Sequence, residues 1–131
     1  LTAVYADLSQ DYKKHQSAKL RDFIASLVRP LLPNPVVEVS GSHLVHVVLN
    51  RQGNHLAVNL INTGGRHADP QVFTYDEVPS LTNLTVRLRT QRKPTRIVQQ
   101  PENKALPIRY ANGIATVIVP HLAVHSVLMV E

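Results

Sequence analysis

The sequence holds no cysteine and no tryptophan, and its aromatic residues are two phenylalanines and four tyrosines. Without cysteine there is no disulfide scaffold, no cysteine-based metal site and no thiol nucleophile. With so few aromatics, a surface that stacks nucleic-acid bases or sugar rings has little to build on. No stretch approaches the roughly 20 apolar residues that a bilayer-spanning helix needs. A secretory leader pattern is missing too. The first residue is leucine rather than methionine, as expected of a domain cut from a longer protein, so a missing leader says nothing about the parent. The residues do not identify a compartment. There is no G-x-S-x-G elbow, no glycine-rich phosphate loop and no dinucleotide fingerprint.

What is present is enough for one folded domain with an extra element. A chain of 131 residues can hide about two thirds of its unfolded surface. Hydrophobic residues make up 44%, an ordinary value for a globular domain, so the bulk of the chain is not disordered. The formal net charge is +5 and the isoelectric point about 9.9, a balance that admits nucleic acid or a membrane surface as partner.

Three zones follow one another. Ala3, Val4 and Tyr5 suit a brief strand, which Asp7 and Ser9 break before a polar stretch (Asp11, Lys13, Lys14, His15, Gln16). Leu20, Phe23, Ile24, Leu27, Val28 and Leu31 then recur at helical spacing, forming one apolar stripe. With Ser17 as N-cap and Pro30, Pro33 and Pro35 at the far end, the helix is expected over about residues 17 to 30. An amphipathic helix packed on a neighbour explains this pattern better than a membrane-surface helix.

From Val36 onward the pattern alternates. Expected strands cover 36–39, 43–51, 55–62, 84–89, 96–99, 106–110, 114–119 and 124–130. Val45, Val47 and Leu49 should share one face of their strand, as should Leu56, Val58 and Leu60 of the next. Gly53-Asn54 and Asn112-Gly113 read as tight hairpin turns, since the residues at their centres need positive φ. A long connection carries Gly64-Gly65, Asp69-Pro70 and Pro79, and should cross between sheets. The last two strands are apolar on both faces, so they should be central or covered by another domain. The fold class expected is mainly β: an antiparallel Greek-key β-sandwich of about seven strands, preceded by one amphipathic α-helix.

Candidate chemistry is sparse. His43 and His46 lie three apart and would face opposite ways on a strand. His121 and His125 are four apart, but Leu122 and Ala123 between them do not make a ligand set, and no HExxH or HxH pair occurs. Asp69, Asp76 and Glu77 sit in the long connection and Glu102 in a turn, which places no carboxylate pair on rigid neighbouring strands. No catalytic residue, metal site or cofactor is expected. Asn83-Leu84-Thr85 matches a glycosylation sequon at the start of a strand. The charged feature that stands out is Arg87, Arg89, Arg92, Lys93 and Arg96. These are the candidate surface contacts to a polyanion; a solvated strand face that discourages edge pairing explains them more simply.

The order of the segments carries a resemblance. "VYADLS" leads to "AKLRDFIASLVRPLLP", then "PVVEVSGSHLVHVVLNRQGNHLAVNLIN", and the chain closes with "LTVRLRTQRKPTRIVQQPENKALPIRYANGIATVIVPHLAVHSVLMVE". Together they resemble the C-terminal end of glycoside-hydrolase-like proteins built from a catalytic barrel, a glutamine-amidotransferase-like α/β domain and a small β-sandwich. Family 42 β-galactosidases have this layout. The resemblance implies that residues 1–34 are the tail of a preceding α/β domain and 35–131 the sandwich. In that family the catalytic carboxylates lie on the barrel, so no functional residue carries over. The expected role is a non-catalytic accessory domain of a carbohydrate-active enzyme, supporting interdomain or oligomer contacts. Its partners would be the preceding domains of the parent chain, a second copy through the helix stripe, and carbohydrate by way of the parent. A carbohydrate-binding module is the alternative, and a basic polyanion- or nucleic-acid-binding domain a more distant one.

Overall fold

Asp7 opens the first helix rather than merely ending a strand. Its Oδ1 accepts hydrogen bonds from the Gln10 backbone N–H at 3.1 Å and the Ser9 hydroxyl at 3.0 Å. This is the N-cap geometry that satisfies an otherwise orphaned amide. Helix α1 (Leu8–His15) follows, with Lys13, Lys14 and His15 at its C-terminal end where the helix dipole favours cations. The polar stretch is therefore helical, and the expectation of a single helix is corrected to two. The residues are described over 7–15, 17–53, 55–64 and 78–131 in this computed structural model. The expected strand at Ala3–Tyr5 lies outside them.

Helix α2 (Ala18–Val28) has Ser17 at its N-cap position, and the Ser17 carbonyl accepts the Arg21 N–H at 3.0 Å. A 3-10 turn over Arg29–Leu31 continues it, with Pro30 where no backbone donor is required. No residue of either helix is buried. Leu20, Ile24 and Leu27 of the stripe are half-buried, while Phe23, Val28 and Leu31 are exposed. No helix among the described residues is long and apolar enough to cross a membrane. The chain divides into two compact units, Leu1–Pro35 and Val36–Glu131.

The second unit is an antiparallel β-sandwich. One sheet has the order β1 (Val37–Ser40), β4 (Leu81–Arg89), β8 (Ile114–Leu122), β7 (Arg109–Ala111). The other runs β2 (Val45–Gln52), β3 (His55–Asn62), β9 (His125–Val130), β5 (Ile97–Gln100), β6 (Lys104–Ala105). All strand pairs are antiparallel. Among the described residues there are nine strands, against the seven or so expected. The strand expected over 106–110 is found at Arg109–Ala111, paired with β8, and the short Lys104–Ala105 before it pairs with β5 in the other sheet.

Period-two alternation decides what lies inside. Leu84, Val86 and Leu88 of β4 and Ala115, Val117 and Val119 of β8 point from one sheet. Val58 and Leu60 of β3, Leu128 and Val130 of β9 and Ile97 of β5 meet them from the other. The core is aliphatic throughout, with Val45 and Val47 packed at its margin. Leu49 shares their face through its register with Val58 but stays exposed. Strands β8 and β9, apolar on both faces, are indeed interior to their sheets. Ile118, on the outer face of β8, is nevertheless 58% exposed.

Two local features shape the sheets. Asn112 and Gly113 both have positive φ, 51° and 74°, in the turn that joins β7 to β8. In β4, the pairing steps from Leu84 with Val119 to Thr82 with His121, so Asn83 faces Pro120, which has no N–H to offer. Asn83 takes a left-handed conformation there, φ 54°, within the strand rather than at its start. The Asn83 carbonyl lies against Gly41, where an added Cβ would sit 3.3 Å from it.

Buried polar side chains act as pins. Asn62 donates from Nδ2 to the carbonyls of Pro79 (2.9 Å) and Ala123 (2.7 Å), and its Oδ1 accepts the Gly64 N–H at 2.9 Å. Gln99 Nε2 donates to the His121 carbonyl at 3.0 Å and to Ser126 Oγ at 3.2 Å. Asn62 ties two loop carbonyls to the end of β3, and Gln99 of β5 ties to β8 of the other sheet and to β9. Asn62→Ala should therefore destabilise the chain by about 1–3 kcal/mol, since two part-buried carbonyls and the Gly64 N–H lose their partner, and Leu60→Ala by about 2–5 kcal/mol. Ile118→Thr should stay within about 0.5 kcal/mol of the parent. Urea unfolding followed by circular dichroism measures all three.

Candidate functional site

The end of the sandwich where several turns converge forms the main cleft. The β2–β3 hairpin contributes Arg51, His55 and Leu56, and β4 ends there at Arg89. The connection from β4 to β5 supplies Thr90, Gln91, Arg92, Lys93 and Pro94, and β9 arrives with Val130 and Glu131. Val36 completes an open cleft of about 470 Å³. Its charge is lopsided: among the described residues, Arg51, Arg89, Arg92 and Lys93 line it with one acidic side chain, Glu131. Among the described residues these four cations have no ion-pair partner.

The loop that carries Arg92 and Lys93 is held at both ends by backbone bonds. Thr90 donates its N–H to the Gly113 carbonyl at 2.9 Å, and Arg89 donates to the Val36 carbonyl at 2.8 Å. At the other end Thr95 donates to the Glu131 carbonyl through its N–H (2.8 Å) and its hydroxyl (3.1 Å). The Glu131 N–H closes the ring by donating to the Arg96 carbonyl at 3.0 Å. Pro94 is buried in the middle of the loop. The Tyr110 hydroxyl also donates to the Thr90 carbonyl, at 3.3 Å.

The five basic residues singled out in the sequence are thus divided. Arg89, Arg92 and Lys93 line the cleft. Arg87 does not; it lies on the outer face of the four-stranded sheet, where its Nη1 donates to Glu38 Oε2 at 3.1 Å. That pair is cross-strand, since Glu38 of β1 and Arg87 of β4 are register partners. Thr116 of β8 and Arg109 of β7 continue the same row. Arg96 contributes its carbonyl to the loop anchor and does not line the cleft. Arg51 and His55 were not singled out, although both flank the Gly53 turn. A hairpin tip is visible in sequence, but the loop beside which it lands is a matter of sheet order.

The histidines do not gather. His125 Nε2 lies 3.2 Å from Asn59 Oδ1 across the β3–β9 pairing, and His43 and His46 are exposed. Among the described residues no three histidine or acidic side chains come close enough to hold a metal ion. Glu102 is exposed in a turn, and Asp69, Asp76 and Glu77 lie outside the described residues.

Solved structures share this fold. An α-L-fucosidase isoenzyme 2 from Paenibacillus thiaminolyticus matches with a TM-score of 0.79 at 18% identity, over 95% of this chain. A cycloisomaltooligosaccharide glucanotransferase from Paenibacillus sp., in complex with cycloisomaltoheptaose, matches with a TM-score of 0.51 at 15% identity, over 85% of this chain. The chain spans only 19% and 20% of those two proteins. No family model matches the chain, and no curated protein matches it in sequence. At these identities the likeness is one of fold.

Because the side chains of Arg87 and Glu38 are 48% and 50% exposed, solvent screens their pair. A double-mutant cycle with Arg87→Ala and Glu38→Ala should give a coupling of about 0.2–1 kcal/mol, falling as salt rises.

Proposed function

We propose that this chain is a non-catalytic accessory domain of a larger carbohydrate-active enzyme, a glycoside hydrolase in which the catalytic residues lie elsewhere in the parent. The observation that carries the reading is a mismatch of lengths. Almost all of this chain shares its fold with a fucosidase, yet it corresponds to only 19% of that protein. A domain that small inside a large hydrolase leaves the reaction to the remaining four fifths. The family 42 layout of barrel, amidotransferase-like domain and small β-sandwich is the finer form of the proposal.

In such a parent the first 34 residues would be the tail of the preceding α/β domain. The stripe of α2 supports this, because Phe23, Val28 and Leu31 are exposed and apolar. Such a row is covered in a soluble assembly by a neighbouring domain or a second copy. In this role the domain stabilises and orients rather than reacts.

The purified 131-residue chain should release no nitrophenol above the buffer rate from nitrophenyl α-L-fucoside, β-galactoside or α-glucoside. Turnover that co-purifies with the chain and tracks its concentration would overturn the accessory reading.

A further inference from the structure

We propose that the cleft at the hairpin end of the sandwich is a binding site for the sulfate or carboxylate groups of an acidic glycan. The glycan part of this statement rests on the carbohydrate reading above; the anion part rests on the cleft itself. Four cations from two separate chain segments converge there: Arg51 from the β2–β3 hairpin, and Arg89, Arg92 and Lys93 from the end of β4 and the anchored loop that follows it. Like charges brought together without partners repel one another, and an arriving oxyanion relieves that repulsion. The guanidinium fork suits this task, because it offers two parallel donors to the two oxygens of a carboxylate or sulfate.

Solvation alone accounts for a charge run on a mobile surface loop. It does not account for this loop, whose two ends are fixed by backbone hydrogen bonds to Gly113 and Glu131 and whose Pro94 is buried. Anchoring lowers the cost of ordering the arginines when a ligand binds. The cleft volume, about 470 Å³, lies in the range that accommodates small ligands. Among the described residues its lining contains no phenylalanine, tyrosine or tryptophan, and charge and hydrogen bonding are the means of recognition it offers. Nucleic acid fits less well. Single strands are gripped by stacking platforms and duplexes by phosphate contacts spread along the backbone, whereas these cations are gathered at one end of the domain.

The test compares two double variants with equal loss of charge. Arg89→Gln with Arg92→Gln removes two cleft cations. Arg87→Gln with Arg96→Gln removes two that do not line it. Thermal melts establish that both remain folded. Amide chemical shifts of the full chain are followed on adding a sulfated heparin tetrasaccharide, a galacturonate trisaccharide, neutral maltotriose, inorganic sulfate or a single-stranded tetranucleotide. Saturable shifts confined to residues 51–56 and 89–94 with either acidic glycan support the proposal. The cleft variant should then bind about tenfold or more weakly, and the control variant should bind as the parent does. Inorganic sulfate or the tetranucleotide binding as tightly as the acidic sugars would overturn the glycan assignment while leaving an anion site. Equal weakening in both double variants, or no saturable shift with either acidic sugar, would overturn the site itself. The test of the accessory role by glycoside turnover is unaffected by these last outcomes.

Discussion

The sandwich depends on one layer of aliphatic side chains held between β4 and β8 on one side and β3, β9 and β5 on the other. β3, β4, β8 and β9 each contribute two or three residues at period two and β5 contributes Ile97, and each of these is removed from water only if the opposing sheet is in place. Burying a leucine or valine side chain fully is worth about 1.5–3 kcal/mol, so the layer is lost or kept as a unit. It also forces the register. A slip of one residue in β4 would turn Leu84, Val86 and Leu88 outward and bring Thr85, Arg87 and Arg89 in.

That constraint decides where chemistry can occur. Inside, the polar side chains that are buried already serve the fold: Asn62 holds carbonyls of neighbouring loops, Gln99 holds a carbonyl of β8, and Ser126 accepts from Gln99. The charged residues are pushed to the sheet faces and the ends. On the outer face, Arg87 meets Glu38 and is largely neutralised. At the end, the loop from β4 to β5 and the tip of the β2–β3 hairpin bring together cations that, among the described residues, meet one acidic side chain. The contrast between Arg87 and Arg89, two positions apart in sequence, is what singles out the cleft.

Much of the sandwich was legible in the sequence because its signals are local. Alternation identified β2, β3, β4, β8 and β9, and Asn112-Gly113 announced its turn through a backbone requirement that few residue pairs meet. The helix α2 was legible from its stripe and its prolines. Helix α1 was not, because it has no apolar face, and Asp7 signals a helix start as readily as a strand end. The short strand Lys104–Ala105 was not legible for a different reason: it and Arg109–Ala111 belong to different sheets, and pairing partners are not encoded in so short a window. The cleft was legible in part. The run from Arg87 to Arg96 drew attention as a charge cluster, but which members converge depends on strand orientation and on a hairpin some forty residues earlier in the chain.

The central claim is that residues 36–131 carry a complete core of their own. Truncation tests it most directly. The fragment 36–131 should show the β-rich circular dichroism of the full chain and unfold in one cooperative transition, with a midpoint within a few degrees of the full chain's. A fragment that fails to fold, or that melts without cooperativity, would contradict the account.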